Sequence, residues 1–414
     1  MMDRPNLLFL TPILPHTTGT GSAIRAGITV EALARHFNVY VFHAELWGWH
    51  DRTFKTDFVR QRAARYVHYR LQDGEIPMPA ILSEHFAGIR FHAIHTFRLV
   101  MARAAVSVLY QTGRPRPYAI IDLDDDECLR SERFHKLWEG AGDTERALQE
   151  REELPRLRML ERMFVPRFQA VCLATREDCD KFSQRYPDVR FAHLPNAIFP
   201  SPSLPRPGSS ERPPTLLFVG KLDYLPNEDG AHHFCTRILP VLLEKSPGPV
   251  RVRIVGTNPS DRVMRLISHP GVEVLADVPD LAPYYADADV VIVPLRAGSG
   301  TRIKILEAFS FRRPVVSTSM GAAGLDLTGG EELLIADDPE PFADACLRLM
   351  ADADLAAKLT DAAGAWVQSQ HSIDRVDAVI QSLYEPVLKT KSGAPLDAWS
   401  AVKATPAFRP EPPV

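Results

Sequence analysis

The chain has 414 residues, of which 45% are hydrophobic and 24% charged, an ordinary composition for a folded globular protein. Its 48 basic and 52 acidic side chains give a net charge of −4, and this balance argues against a nucleic acid partner. The five cysteines form no Cys-x-x-Cys pair, which excludes the common zinc spacings and predicts a reducing compartment. Because no apolar stretch approaches the ~18 residues that span a bilayer, we expect a cytoplasmic protein. The length predicts two or three domains. Peripheral contact with the inner face of a membrane stays open.

The N-terminal half opens with a strand, a glycine loop, a helix and a second strand, predicted at 6–11, 19–22, 23–37 and 38–43. This is the order of a right-handed βαβ unit. Further along, the sequence predicts helices around 81–110, a strand at 118–123, a helical stretch at 130–167 and a strand at 170–174.

Residues 199–214 are the clearest linker, because prolines and serines dominate there and apolar anchors are few. We therefore predict an N-terminal domain at 1–198 and a C-terminal domain at 215–370, with a closing helix at 371–388. The tail at 389–414 is rich in proline and alanine without periodicity, so we expect it to be loose.

The C-terminal half alternates strands and helices more cleanly. Strands are predicted at 215–219, 250–255, 272–275, 289–294, 314–317 and 333–336, and helices at 229–244, 281–286, 301–311, 340–350, 353–369 and 372–388. Such alternation gives a parallel sheet covered on both faces. We predict an α/β fold of two Rossmann-like, doubly wound domains facing a cleft, with ligands beyond the carboxyl ends of the strands.

The most informative motif is the run from Asp289 to Ala308, where a buried strand leads through Gly298-Ser299-Gly300 directly into a helix. Backbone N–H groups at a helix N-terminus favour anions. Arg302 and Lys304 lie in the first predicted turn, where positive side chains are unfavourable unless an anion sits beside them. Glu307 follows one and a half turns into the helix. A plain glycine turn with solvated charges is the alternative.

With its neighbours, this run resembles the nucleotide-sugar-binding half of glycosyltransferase family 4 and its GT-B relatives over residues 216–359. The matching pieces are Phe218-Val-Gly-Lys221, Ile254-Val-Gly256, 277–286, 289–308, Pro314-Val-Val-Ser-Thr318, Gly321-Ala-Ala-Gly-Leu325 and Glu332-Leu-Leu-Ile335. The N-terminal half is similar more loosely, through the Gly19/Gly21 loop and Pro195-Asn196-Ala197.

The resemblance implies roles for individual residues. Glu307 matches the family's second motif glutamate, which binds the donor ribose, while Ser299 stands where the first glutamate would fall. Lys221 matches a diphosphate ligand. The family's next Lys-Gly pair is missing from 226–230, and Arg302 and Lys304 are candidates to replace that charge. The implied catalytic residues are Lys221, Arg302 and Glu307, and the implied donor-binding residues are Gly220, Gly298, Ser299, Gly300, Thr301 and Lys304.

The acidic run Asp122-Leu-Asp-Asp-Asp-Glu127 permits three interpretations: a Mg²⁺ site, an acidic cluster facing the acceptor, or a solvated helix start. We expect no metal, because side-chain cations already serve the donor. The candidate acceptor or cleft residues are Gly19, Gly21, His16 and Asp124.

The function implied is a retaining glycosyltransferase that moves a sugar from a nucleotide diphosphate sugar, its co-substrate, without a cofactor. A carbohydrate, a lipid-linked molecule or a small molecule would be the acceptor, in surface polysaccharide or glycoconjugate synthesis. The donor is expected on the C-terminal domain and the acceptor on the N-terminal one. A nucleotide-sugar epimerase and a non-catalytic nucleotide- or glycan-binding module are the alternatives.

Overall fold

The computed structural model describes residues 4–46, 56–71, 75–112, 115–201, 212–298 and 300–390. Most of the predicted linker, Ser299 and nearly all of the 389–414 tail lie outside these residues. Within them the chain forms two α/β domains, each built on a parallel sheet with helices on its faces. The predicted fold class is therefore confirmed. In the described part, no helix combines the length and the apolar character needed to cross a membrane.

The N-terminal sheet has seven parallel strands in the order β3-β2-β1-β4-β5-β6-β7. The strands are β1 Asn6–Thr11, β2 Asn38–Glu45, β3 Arg65–Arg70, β4 Ala93–Phe97, β5 Tyr118–Asp124, β6 Ala170–Leu173 and β7 Phe191–His193. The helices are α1 Gly21–His36, α2 Asp57–Arg62, α3 Met78–His85, α4 Ala102–Gln111, α5 Glu127–Gly140, α6 Thr144–Phe164 and α7 Arg176–Arg185. The strand order reverses between β1 and β4, and a crevice opens at such a switch point beyond the carboxyl ends of the strands.

The C-terminal sheet has six parallel strands in the order β10-β9-β8-β11-β12-β13. The strands are β8 Thr215–Lys221, β9 Arg251–Thr257, β10 Val272–Ala276, β11 Val290–Val293, β12 Val315–Ser317 and β13 Leu334–Ile335. The helices are α8 Leu225–His233, α9 Leu239–Lys245, α10 Asp261–Met264, α11 Ala282–Asp287, α12 Ile303–Ser310, α13 Ser319–Ala322, α14 Pro339–Ala351, α15 Ala353–Gln370, α16 Ile373–Leu383 and α17 Glu385–Leu388. Here the order reverses between β8 and β11, the two strands that lead into the predicted donor loops.

Several regions of the N-terminal half differ from the sequence prediction, among them two that contain predicted helices. The stretch predicted as helices around 81–110 contains the buried strand β4 between α3 and α4, and the edge strand β3 precedes it. Both were missed, because His95 and Thr96 interrupt the apolar run of β4 and because β3 alternates charged and aromatic residues. The helical stretch at 130–167 is two helices, since Gly142 adopts a φ of 77° and Asp143 caps α6.

The chain returns to the N-terminal domain at its end. Helix α16 packs against α1, and its apolar residues Val376, Ile380 and Leu383 join the core beneath β1. The hydroxyl of Tyr384 lies 3.0 Å from Nδ1 of the buried His95 on β4. The last helices therefore add a second connection between the domains, besides the linker that precedes β8.

Candidate active site

The carboxyl end of β8 and the start of α12 are joined by one amide side chain, that of Asn227. Its Nδ2 donates to the Lys221 carbonyl at 2.8 Å, and its Oδ1 accepts from Lys304 Nζ at 2.6 Å. Gly220 makes room for this amide, because a Cβ there would lie 2.6 Å from Asn227 Nδ2. Three of the predicted donor residues are thereby brought together around Asn227 at the switch point of the sheet.

Lys304 and Glu307 are neighbouring, partly buried groups of opposite charge on α12. The Lys304 ammonium lies 4.3 Å from the centroid of the Phe218 ring. Burial and the nearby Arg302 lower the pKa of Lys304 to about 7, although Glu307 opposes the change. Burial raises the pKa of Glu307 to about 7 against the opposing effects of Lys304 and the Tyr285 hydroxyl. Both groups therefore change protonation near neutral pH, which is common where side chains act on ligands.

The glycine loop before α12 is folded around the guanidinium of Arg302. Gly298 has a φ of 133°, and a Cβ on it would lie 2.6 Å from Arg302 Nη2. Arg302 is only 8% exposed, and it donates to the carbonyls of Gly300 at 3.2 Å and Met320 at 3.4 Å. The helix begins at Ile303, so Arg302 occupies its N-cap position rather than its first turn. The guanidinium fixes the path of the loop that precedes the helix.

The acidic run of the N-terminal domain is buried and paired with arginines. Arg25 of α1 binds Asp122 through two hydrogen bonds of 2.9 and 2.7 Å, and both side chains are almost fully buried. Its Nη1 also donates to Asn196 Oδ1 at 3.0 Å, which ties in the Pro195-Asn196-Ala197 motif. The interpretation of this run as a solvated helix start is wrong for Asp122, because that carboxylate has no exposure.

The rest of the acidic run surrounds a second arginine, Arg98. This guanidinium contacts Asp124 at 3.2 Å, Asp125 at 2.8 Å and Glu127 at 3.1 Å. Asp124 also lies 3.5 Å from Arg25, and burial raises its pKa despite both arginines. Asp126 caps α5 by accepting from the Leu129 N–H. The carboxylate of Asp124, a candidate acceptor residue, is thus engaged with Arg98 and Arg25.

The remaining candidates of the N-terminal domain lie around the start of α1. Gly21 faces the other domain, since a Cβ on it would lie 3.0 Å from Ile303 of α12. Gly19 precedes it with a φ of 105°. His16 lies on the α1 side, where its backbone N–H donates to the Ala23 carbonyl and its Nδ1 accepts from the Thr18 N–H. The structure therefore brings Gly21 against α12.

The two domains also touch around the glycine loop. Arg133 of α5 donates to the Gly298 carbonyl at 2.5 Å, and Thr301 Oγ1 donates to the Ala174 carbonyl at 3.4 Å. The Phe134 and Tyr224 rings meet edge to face, with centroids 5.5 Å apart. These contacts put the glycine loop before α12 and the start of α8 directly against the N-terminal domain.

A polar cleft of 440 Å³ lies between the two domains. Its lining includes Thr175, Glu177 and His193 from the N-terminal domain and Leu325, Trp366 and His371 from the C-terminal one. Gly324 also lines it, and a Cβ on that residue would come within 3.1 Å of the Gly300 carbonyl. The cleft therefore begins beside the glycine loop that precedes α12.

Sequence reasoning missed four residues that shape this site. They are Arg25, Arg98, Arg133 and Asn227. An arginine inside the apolar stripe of α1 was a usable signal for Arg25, and the missing Lys-Gly pair pointed to the neighbourhood of Asn227. No pattern in the sequence distinguishes Arg98 or Arg133 from the other arginines of the chain.

Comparisons with known proteins agree with this fold. Residues 213–352 match the model of the family described as glycosyl transferases group 1. A sucrose-phosphate synthase from Thermosynechococcus elongatus superimposes with a TM-score of 0.67 at 17% identity, over 92% of this chain and 98% of that one. The fold is GT-B. HepE from Anabaena, in complex with UDP and glucose, gives 0.66 at 14% identity over 92% of this chain and 100% of HepE.

Two curated relatives match shorter segments. An uncharacterized 44.6 kDa protein in the cps region of Klebsiella pneumoniae is 28% identical over 143 residues, 31% of this chain and 35% of that protein. An exopolysaccharide phosphotransferase of Streptomyces coelicolor is 32% identical over 171 residues, 39% of this chain and 17% of that protein. The matches thus span about a third of the first relative and a sixth of the second.

The buried pair of Arg25 and Asp122 should be essential for stability. We expect Asp122→Ala to lower the free energy of unfolding by about 3–5 kcal/mol, because it leaves a guanidinium buried without its carboxylate. The matched control is Asp374→Ala, which removes an exposed partner of Arg35 and should cost about 0–1 kcal/mol. Urea unfolding of the variants gives both values, and similar losses for the two would contradict the assigned importance of burial.

Proposed function

We propose that the protein is a retaining glycosyltransferase of the family 4 type that uses a nucleotide diphosphate sugar as donor. The observation that carries the proposal is the contact of Asn227 with Lys304 and with the Lys221 carbonyl at the switch point of the C-terminal sheet, with Glu307 on the same helix as Lys304. It offers cations for a diphosphate and a carboxylate for ribose hydroxyls. HepE, a structural neighbour with the same fold, has been crystallised with UDP-glucose, which supports this class of donor.

The proposed chemistry needs charge stabilisation more than a base. The glycosidic bond to the diphosphate breaks as the acceptor oxygen bonds to the anomeric carbon on the same face. The departing phosphate oxygen takes the acceptor's proton, so the electron pair and the proton both end on the leaving group. Lys221, Arg302 and Lys304 would stabilise the charge that develops there, and preorganised cations are effective in a site with little water. These residues make a metal or a resident cofactor unnecessary.

The acceptor would enter through the cleft between the domains. Its polar lining, which includes Glu177, His193 and Trp366, suits a carbohydrate better than an apolar molecule. The relatives from a cps region and from exopolysaccharide metabolism support a role in surface polysaccharide synthesis. We propose a glycan or lipid-linked sugar as the acceptor, and the latter would bring the protein to the inner face of a membrane.

Replacing Glu307 tests the donor site. Glu307→Ala should lower kcat/KM about 30- to 1000-fold, because two charge-assisted hydrogen bonds to ribose are worth about 2–4 kcal/mol. The control is Glu331→Ala at an exposed position, which should be neutral. The assay is sugar transfer from a panel of nucleotide sugars, with and without acceptor. Normal turnover in Glu307→Ala would remove this residue from the site, and turnover without acceptor would indicate an epimerase.

Nucleotide affinity should depend on pH in a bell shape centred near pH 7. Below this pH Glu307 takes up a proton and loses its charge for the ribose, and above it Lys304 loses its positive charge. We expect the affinity for the diphosphate to fall by up to about tenfold per pH unit on each side. Calorimetry with Glu307→Gln should retain only the alkaline limb, and with Lys304→Met only the acidic limb. A flat profile for the unmodified protein would contradict the assignment.

A further inference from the structure

Helix α5 of the N-terminal domain brings an arginine to the donor loop of the other domain. Arg133 Nη1 donates to the Gly298 carbonyl at 2.5 Å. Arg302 touches the same residue, because its Nη2 lies 2.6 Å from the position of a Cβ on Gly298. Two guanidinium groups, one from each domain, therefore flank a single glycine of the loop that precedes α12.

This closeness of like charges is unfavourable without an anion. After burial, the positive charge of Arg133 is one of the causes that lower the pKa of Arg302, while Tyr224 and Asp125 oppose them. The carboxylate of Asp125 is already contacted by Arg98 at 2.8 Å and Arg130 at 3.4 Å. In the part of the chain that the structure describes, no carboxylate lies within ion-pair distance of Arg133. Its hydrogen-bond acceptor is a neutral carbonyl.

A phosphate oxygen is a better acceptor for a guanidinium than a peptide carbonyl. The planar fork of arginine matches phosphate geometry through two parallel hydrogen bonds, and a phosphate adds an attraction between opposite charges that a neutral carbonyl lacks. An anion bound at this loop would contact Arg302 of the C-terminal domain and Arg133 of the N-terminal domain. The next residue of α5, Phe134, already packs on Tyr224 at the start of α8, so this helix touches both donor loops.

We propose that Arg133 is a donor-binding residue supplied by the N-terminal domain, which exchanges the Gly298 carbonyl for a phosphate oxygen of the bound nucleotide diphosphate. The inference rests on the proposed function, since it assigns a further ligand to the same diphosphate. Its consequence is that donor binding and domain closure are coupled, because the diphosphate would be held from both sides of the cleft. The C-terminal domain alone would then bind the donor incompletely.

Two substitutions separate the charge of Arg133 from its hydrogen bond. Arg133→Gln retains a donor for the Gly298 carbonyl but removes the charge, whereas Arg133→Lys retains the charge without the fork. The control is Lys136→Ala, which removes an exposed cation from the same helix. The measurement is calorimetric binding of uridine, guanosine and adenosine diphosphates and of the corresponding monophosphates to the full chain.

We expect Arg133→Gln to weaken binding of the preferred diphosphate about 10- to 100-fold and that of the monophosphate less. Arg133→Lys should recover part of the loss, and Lys136→Ala should bind like the unmodified protein. Unchanged diphosphate affinity in Arg133→Gln would overturn the inference and leave the proposed function intact. If the unmodified protein binds no nucleoside diphosphate, both fail together.

Discussion

The site depends on the hydrogen bond between Lys304 and Asn227. An ammonium taken out of water is costly unless polar groups surround it. Here one amide oxygen at 2.6 Å and the face of Phe218 receive the ammonium, and Glu307 supplies a nearby negative charge. The cost is only partly offset, as the lowered pKa of Lys304 indicates. We propose that an arriving diphosphate completes the compensation.

In the N-terminal domain, by contrast, opposite charges are paired inside a buried network. Arg25 and Arg98 hold the acidic run in a buried network, and Arg98 and Asp124 both adopt a positive φ, of 72° and 68°. Such backbone conformations are unfavourable for residues other than glycine and persist only when the surroundings impose them. The network therefore fixes the end of β5 and the start of α5. This is the helix that carries Arg133 to the donor loop.

Much of the fold was accessible from the sequence, because buried parallel strands are continuous apolar runs. The segment from β11 to α12 is an example: its strand, its glycine loop and its helix were all predicted, with the helix start displaced from 301 to Ile303. Strand β4 was missed, because the polar residues His95 and Thr96 interrupt its apolar run although both are buried.

Contacts between distant parts of the chain were beyond sequence reasoning. Arg25 meets Asp122 across 97 positions, and Arg133 meets Gly298 across 165. Local periodicity carries no information on such pairs. The residues Lys304 and Glu307 were found because they lie in one short motif with a family resemblance. The amide of Asn227 that connects Lys304 to β8 became visible only in three dimensions.

The most direct test moves the ammonium group from position 304 to position 227. Calorimetry in excess chelator would compare nucleoside diphosphate binding by the unmodified protein, by Lys304→Met and by the double variant Lys304→Met/Asn227→Lys. We expect a loss of about 10- to 100-fold in Lys304→Met. We expect partial recovery in the double variant, because the side chain at 227 already lies beside the Lys304 ammonium, which is 2.6 Å from the Asn227 amide oxygen. Undiminished binding by Lys304→Met would contradict the central claim.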